Sequence, residues 1–187
     1  MNDSADPGHE LAGSPHDHGA AAHGQVGTAL VITVSTRAHA GVYADESGPL
    51  IVTALTEIGF LVDGPQIVPD GKAVGWALRD GVDHGYDVII TTGGTGLAPS
   101  DATPEQTKPL LEKEIPQLPA ELARHGVESG VPTAVLSRGV AGLAGRTLIV
   151  NLPGSLGGAA DGMTLLGPLL PHAVAQLRGG DHRRPGH

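Results

Sequence analysis

Hydrophobic and polar positions fall in blocks along this chain, and the period changes from block to block. The run ALVITVS (29–35) is almost continuously apolar and β-branched, as a strand covered on both faces should be. From Ser47-Gly-Pro49 the period lengthens. Ile51, Leu55 and Ile58 share one helical face, and Gly59 stands where a helix ends in a left-handed residue. A second strand is expected over 60–68, with Asp70 at the N-cap of a helix over 71–83. DVIITT (87–92) reads as a third strand. Thr103-Pro-Glu-Gln106 has the form of a capping box with proline at the first helical position. It predicts a helix over 104–115, bent at Pro109 because proline cannot donate its backbone bond. Another helical piece is expected over 119–126. Two strands are expected over 133–140 and 146–151, around a glycine-containing turn at 142–145. A mostly helical stretch over 155–178 breaks near Gly167-Pro168.

Strand–helix alternation of this kind predicts an α/β fold with a mostly parallel sheet covered by helices on both faces. No internal repeat is visible. A single domain is expected over 25–178. Residues 1–24 are polar, rich in small residues and aperiodic, and are expected to be disordered because they bury too little apolar surface to offset ordering. They hold His9, His16, His18 and His23. His16 and His18 could catch a stray metal ion, but a solvated tail is the simpler reading. Residues 179–187 read as a short frayed end.

Composition narrows the picture. The chain has 40% hydrophobic residues but only one Trp, two Tyr and one Phe, so its core must be built from Ala, Val, Leu and Ile. Trp76, on the helix after Asp70, is expected to be packed and to report ligand binding. The absence of cysteine excludes disulfides, thiolate metal sites and catalytic thiols. No apolar run approaches the roughly 20 residues that cross a bilayer, and no secretory pattern opens the chain, so a cytoplasmic protein is expected. The net charge of −9 argues against a nucleic-acid partner. Asp3, Asp6, Glu10 and Asp17 account for −4 of it with no Lys or Arg nearby, leaving −5 for the rest. A bound polyanion must then be held locally, by backbone amides and a metal.

In such a sheet, ligands bind beyond the carboxyl ends of the strands. Ser35-Thr36-Arg37, Val68-Pro69-Asp70 and Gly93-Gly94-Thr95-Gly96 through Asp101 leave predicted strands there, and Asn151-Leu-Pro153-Gly154-Ser155 opens a later helix. Glycines let a backbone approach an anion closely. Yet neither G-x-x-x-x-G-K-[ST] nor G-x-G-x-x-G is present, and the glycine stretch could be a tight turn. Asp70 could be a structural cap. Asp101 stands two residues before the better cap, Thr103, so capping explains it less well. Two carboxylates beside a glycine nest suit Mg²⁺ that also binds nucleotide phosphates. Asp45 could be a third acid or surface. Arg37, Arg138 and Arg146 could contact phosphate, although charged surface is the default. His39, His84, His125 and His172 have no metal-ligand spacing. Ser155 is expected to cap the last helix.

TTGGTG-x4-DATPEQT resembles the Mog/MoaB family of molybdenum cofactor biosynthesis proteins. STRAHAGVYADESGP (35–49), IVPDG (67–71) and VPTAVLSRGVAGLAGRTLIVNLPGS (131–155) extend the resemblance in order over 28–178. It implies a three-layer α/β/α sandwich, usually a homotrimer, that uses Mg²⁺ and ATP to transfer AMP to the terminal phosphate of molybdopterin. It implies functional aspartates at Asp70 and Asp101, which could hold the Mg²⁺. It also implies phosphate binding at Gly93, Gly94, Thr95 and Gly96. Ser137, Asn151, Pro153, Gly154 and Ser155 fall where related proteins contact the pterin or shape its pocket. A molybdenum-insertase partner is a further implication. Two positions depart from many enzyme members: Ser100 stands where they have Arg, and Thr36 where they have Asp. The rival reading is a non-catalytic molybdopterin-binding or delivery protein of the same fold.

Overall fold

The computed structural model describes residues 25–179, so both tails and the His16/His18 reading lie outside the described residues. The chain runs β1 (Gly27–Val34), α1 (Thr36–His39), α2 (Ser47–Ile58), β2 (Phe60–Val68), α3 (Lys72–Asp83), β3 (Val88–Thr92) and α4 (Thr103–Thr107). It continues through β4 (Lys113–Glu114), α5 (Gln117–Glu128), β5 (Ala141–Ala144), β6 (Thr147–Leu152), α6 (Leu156–Leu166) and α7 (Leu170–Leu177).

The strands form one sheet in the order β2-β1-β3-β6-β5-β4. The first four are parallel; at one edge β5 runs antiparallel to β6, and β4 antiparallel to β5. Alternate residues of the central strands go to opposite layers. Val31, Ile90 and Val150 pack with Ile51 and Leu55 of α2 and with Met163 and Leu166 of α6. Ile32, Ile89 and Ile149 pack with Val74 and Leu78 of α3 on the other side. Both faces are therefore buried, which is why VIITT is a continuously buried, β-branched run without polar alternation. The result is the expected three-layer α/β/α arrangement.

β1 has β2 on one side and β3 on the other, so the chain reverses its direction of travel across the sheet at β1. That makes a crevice between the carboxyl ends of β1 and β3. At the opposite end of the sheet, the Arg178 guanidinium forks onto Asp87, with Nε–Oδ1 at 3.1 Å and Nη2–Oδ2 at 2.8 Å, and donates to the Val26 carbonyl at 3.2 Å.

Several expectations needed correction. The helix predicted over 104–115 ends at Thr107, where Pro109 converts it into a 3₁₀ turn over Lys108–Leu110 rather than bending it. Residues 133–140 are not a strand. Pro132–Leu136 form a 3₁₀ turn, and the strand lies at Ala141–Ala144 in a tight hairpin with β6. Trp76 is 64% exposed, because α3 turns Val74, Ala77, Leu78 and Gly81 inward and leaves residue 76 outside.

Candidate functional site

All the loops that leave β1, β2, β3 and β6 at their carboxyl ends meet in one cavity of about 1420 Å³. Pockets for a single small ligand run roughly 300–1,000 Å³, so this cavity is larger than one such ligand needs. Its wall includes Asp70, Asp101 and the whole of Gly93–Gly96. Ser137, Asn151, Pro153, Gly154 and Ser155 line it too. Every residue to which the resemblance assigned binding or chemistry thus faces the same space.

Asp70 does not cap α3. Gly71 occupies the N-cap position with φ 94° and ψ −140°, a turn that points residue 70 away from the helix. The carboxylate is held by α1 instead. Thr36 donates to Asp70 Oδ2 through its hydroxyl at 2.8 Å and its amide at 3.2 Å, and the Asp70 amide returns a bond to Thr36 Oγ1 at 3.1 Å. The second oxygen, Oδ1, lies against Gly94, where a Cβ would stand 3.1 Å from it.

The glycine loop is held from behind through its carbonyls. The Gly93 carbonyl accepts from Thr103 Oγ1 at 2.9 Å, and the Gly94 carbonyl from the Thr103 amide at 3.1 Å. The Thr95 carbonyl accepts from the Arg138 amide, and the Gly96 carbonyl from Arg138 Nε, both at 2.8 Å. In a trans peptide the next N–H points opposite to the carbonyl. The amides of Gly94, Thr95 and Gly96 accordingly have no acceptor among the described residues. Gly93 and Gly94 take φ of 100° and 62°, and a Cβ on Gly93 would sit 2.2 Å from the Val34 carbonyl oxygen. Thr103 therefore ties down the loop with its hydroxyl and forms no capping box.

Asp101 closes a turn whose amide donates to the Ala98 carbonyl at 2.9 Å. Its Oδ2 accepts from the Ala98 amide at 3.0 Å and lies 2.7 Å from where a Gly96 Cβ would be. Asp70 and Asp101 each spend one oxygen on the protein, and among the described residues the other is free. Among the described residues, no group of three or more His, Asp or Glu side chains is placed to hold a metal ion. A cation here would complete its shell with water and substrate phosphates. That suits Mg²⁺ and not a closed zinc site, so the donor set fits magnesium.

The facing wall is built differently. The Asn151 side chain is buried and consumed within the protein: Oδ1 accepts from the Val140 amide at 3.2 Å, and Nδ2 donates to Thr91 and Thr107 hydroxyls at 2.9 and 3.1 Å. Thr92 Oγ1 donates to the Pro153 carbonyl at 2.8 Å. Gly154 approaches the glycine loop so closely that a Cβ would stand 2.9 Å from the Gly93 Cα. Ser155 caps α6, accepting from the Gly158 amide at 3.1 Å. Ser137 Oγ donates to Thr95 Oγ1 at 3.2 Å.

At the mouth, the Arg37 guanidinium lies 5.1 Å from the centre of the Tyr43 ring, and the Tyr43 and Ser35 hydroxyls are 2.8 Å apart. Asp45 is structural. It accepts from Thr33 Oγ1 at 2.6 Å and from the Ser47 hydroxyl and Gly48 amide at the start of α2. Arg138, Thr103 and Thr36 are the residues whose roles sequence reasoning missed. Their work is done through contacts between distant segments, which no local pattern displays.

The pattern of a family described as a probable molybdopterin binding domain matches residues 30–172. A molybdopterin adenylyltransferase of Pyrococcus furiosus is 39% identical over 153 residues, covering 79% of this chain and 89% of that protein. The molybdenum cofactor synthesis protein cinnamon of Drosophila melanogaster is 43% identical over 148 residues, covering 77% of this chain and 24% of that protein. The chain spans about half or less of the length of several curated relatives it matches. The solved structure of the molybdopterin biosynthesis Mog protein from Mycobacterium ulcerans is 50% identical, with a TM-score of 0.76 and coverage of 80% of this chain and 98% of that one.

Proposed function

The chain belongs to the Mog/MoaB family of molybdenum cofactor biosynthesis proteins, and from that premise we propose that it is a Mg²⁺-dependent molybdopterin adenylyltransferase. The observation that carries this reading is the pairing of three unengaged amides, at Gly94, Thr95 and Gly96, with two half-free carboxylates at Asp70 and Asp101. The first set receives negative charge and the second recruits a hard cation, which is what two polyanionic substrates need in order to meet.

In the reaction an oxygen of the molybdopterin terminal phosphate attacks the α-phosphorus of ATP. The bond from that phosphorus to the bridging oxygen of the β-phosphate breaks, and pyrophosphate leaves. The nucleophile is already anionic, so no general base is required. Asp70 and Asp101 would hold the magnesium ion, which when bound neutralises phosphate charge. The glycine-loop amides stabilise charge on the phosphoryl group in transfer. Thr36 keeps Asp70 oriented, and the short Pro153-Gly154 segment keeps the opposite wall close to the loop. The size of the cavity accommodates the pterin alongside the nucleotide.

Pyrophosphate release from Mg·ATP, measured with and without freshly prepared molybdopterin, tests this. Release should require the pterin and be lost in Asp101→Asn. Tight pterin binding with no release would instead make the protein a carrier. A cytoplasmic homotrimer that hands its product to a molybdenum-insertase partner belongs to the same proposal. Among the described residues, no helix is long and apolar enough to cross a membrane.

A further inference from the structure

We propose that Arg138 is a positioning residue for adenylyl transfer, the brace that fixes the glycine-loop amides and Asp101 in one geometry; the role in catalysis rests on the activity proposed above. A loop containing Gly93, Gly94 and Gly96 has little side-chain packing of its own and a large choice of backbone conformations. Its shape must be imposed from outside.

Arg138 places three donors on that loop, one of them its main-chain amide, and a fourth on α4. The amide takes the Thr95 carbonyl at 2.8 Å, Nε the Gly96 carbonyl at 2.8 Å, and Nη2 the Asp101 carbonyl at 2.6 Å. Nη1 is anchored by Glu105 at the start of α4. Drawing the Thr95 and Gly96 carbonyls toward Arg138 turns the next two amides, those of Gly96 and Leu97, the opposite way. Holding the Asp101 main chain with the same guanidinium fixes where that carboxylate stands relative to them. Arg138 itself is not part of the cavity wall, although its neighbours Ser137 and Gly139 are. Its effect on the substrates therefore passes through the loop. The planar fork is essential, because an ammonium group cannot span the Gly96 and Asp101 carbonyls in this fixed geometry.

The test compares wild type with Arg138→Gln, Arg138→Lys and Glu105→Gln, each checked for folding by circular dichroism. In Arg138→Gln, kcat should fall at least about tenfold, since displacements near 1 Å can cost a hundredfold. KM for molybdopterin should stay unchanged, and the half-saturating Mg²⁺ concentration should rise. Arg138→Lys should recover only a minor part of kcat. A kcat within twofold of wild type in Arg138→Gln, or full rescue by lysine, overturns the proposal. If Arg138→Gln does not fold, Glu105→Gln decides, because it loosens one arm at an exposed position. A several-fold fall in kcat there supports the brace, and a wild-type kcat overturns it. Should wild type itself release no pyrophosphate, the adenylyltransferase reading fails. The brace is then judged by calorimetry with Mg·ATP: affinity about tenfold weaker in Arg138→Gln supports it, and equal affinity overturns it.

Discussion

Thr36 and Asp70 hold each other by three hydrogen bonds across the ends of two neighbouring strands, with the threonine hydroxyl both donating to the carboxylate and accepting from the Asp70 amide. An acid at position 36 could not do this without a cation between the two carboxylates. The threonine thus changes how Asp70 is held, not whether it faces the glycine loop. Thr36→Val keeps the shape and removes both hydroxyl bonds. Hydrogen bonds to charged groups are worth about 1.5–3 kcal/mol, so turnover is expected to fall about tenfold or more. Circular dichroism should show a native fold, and the Mg²⁺ requirement should rise. Wild-type turnover would mean that Asp70 needs no such support.

Two glycines of the loop should fail in different ways. Gly93→Ala places a methyl 2.2 Å from the Val34 carbonyl at a φ of 100° and should destabilise the protein by more than about 2 kcal/mol. Gly96→Ala meets only the Asp101 carboxylate, at 2.7 Å, and has no positive φ to violate. That side chain can swing away, so Gly96→Ala should melt near wild type yet lose activity. Thermal melts beside the pyrophosphate assay would separate the two, and a stable, fully active Gly96→Ala would detach Asp101 from catalysis.

Acid stability should depend on Asp87. Burial alone would raise its pKa, but the Thr28 amide, the Arg178 fork and the Thr28 hydroxyl outweigh that and hold it below the ordinary carboxylate value. A group depressed in the folded state contributes stability above its unfolded pKa, about 3.9, and loses it as pH falls through the folded value. Arg178→Met should therefore cost about 1 kcal/mol at neutral pH, allowing for solvent screening. The difference from wild type should shrink as pH falls below the unfolded value and through the lower folded one, leaving only the contribution of the Arg178–Val26 bond. Urea titrations across that range would show it, and a difference independent of pH would refute the linkage.

Trp76 offers a simple optical check. At 64% exposure and outside the cavity wall, its emission should be quenched by acrylamide almost as readily in the folded protein as in urea. Mg·ATP should leave it unchanged. A large ligand-induced shift would place the nucleotide near α3.

Much of this architecture could be read from the chain because burial on both faces leaves a mark: VIITT and ALVITV have to be strands, and Gly59 has to end a helix. The loops that meet in the cavity were legible for the same reason, since each follows a recognisable strand. The stretch 133–140 misled because Val135 and Leu136 look like strand residues, yet the sheet edge there is taken by Ala141–Ala144. Val135 and Leu136 remain exposed on a 3₁₀ turn. Thr103 misled for a related reason. Its spacing to Gln106 is that of a capping box, but the Gly93 carbonyl, ten residues away, competes for the hydroxyl and wins. Local pattern ranks only local partners.

The clasp of Arg178 on Asp87 and Val26 brings the first and last described segments to one corner, at the end of the sheet away from the cavity. A polypeptide that enters and leaves at one point behaves as a cassette. It can be spliced beside or inside a larger protein without threading past the mouth of the cavity, much as the matching region occupies only 24% of the cinnamon protein.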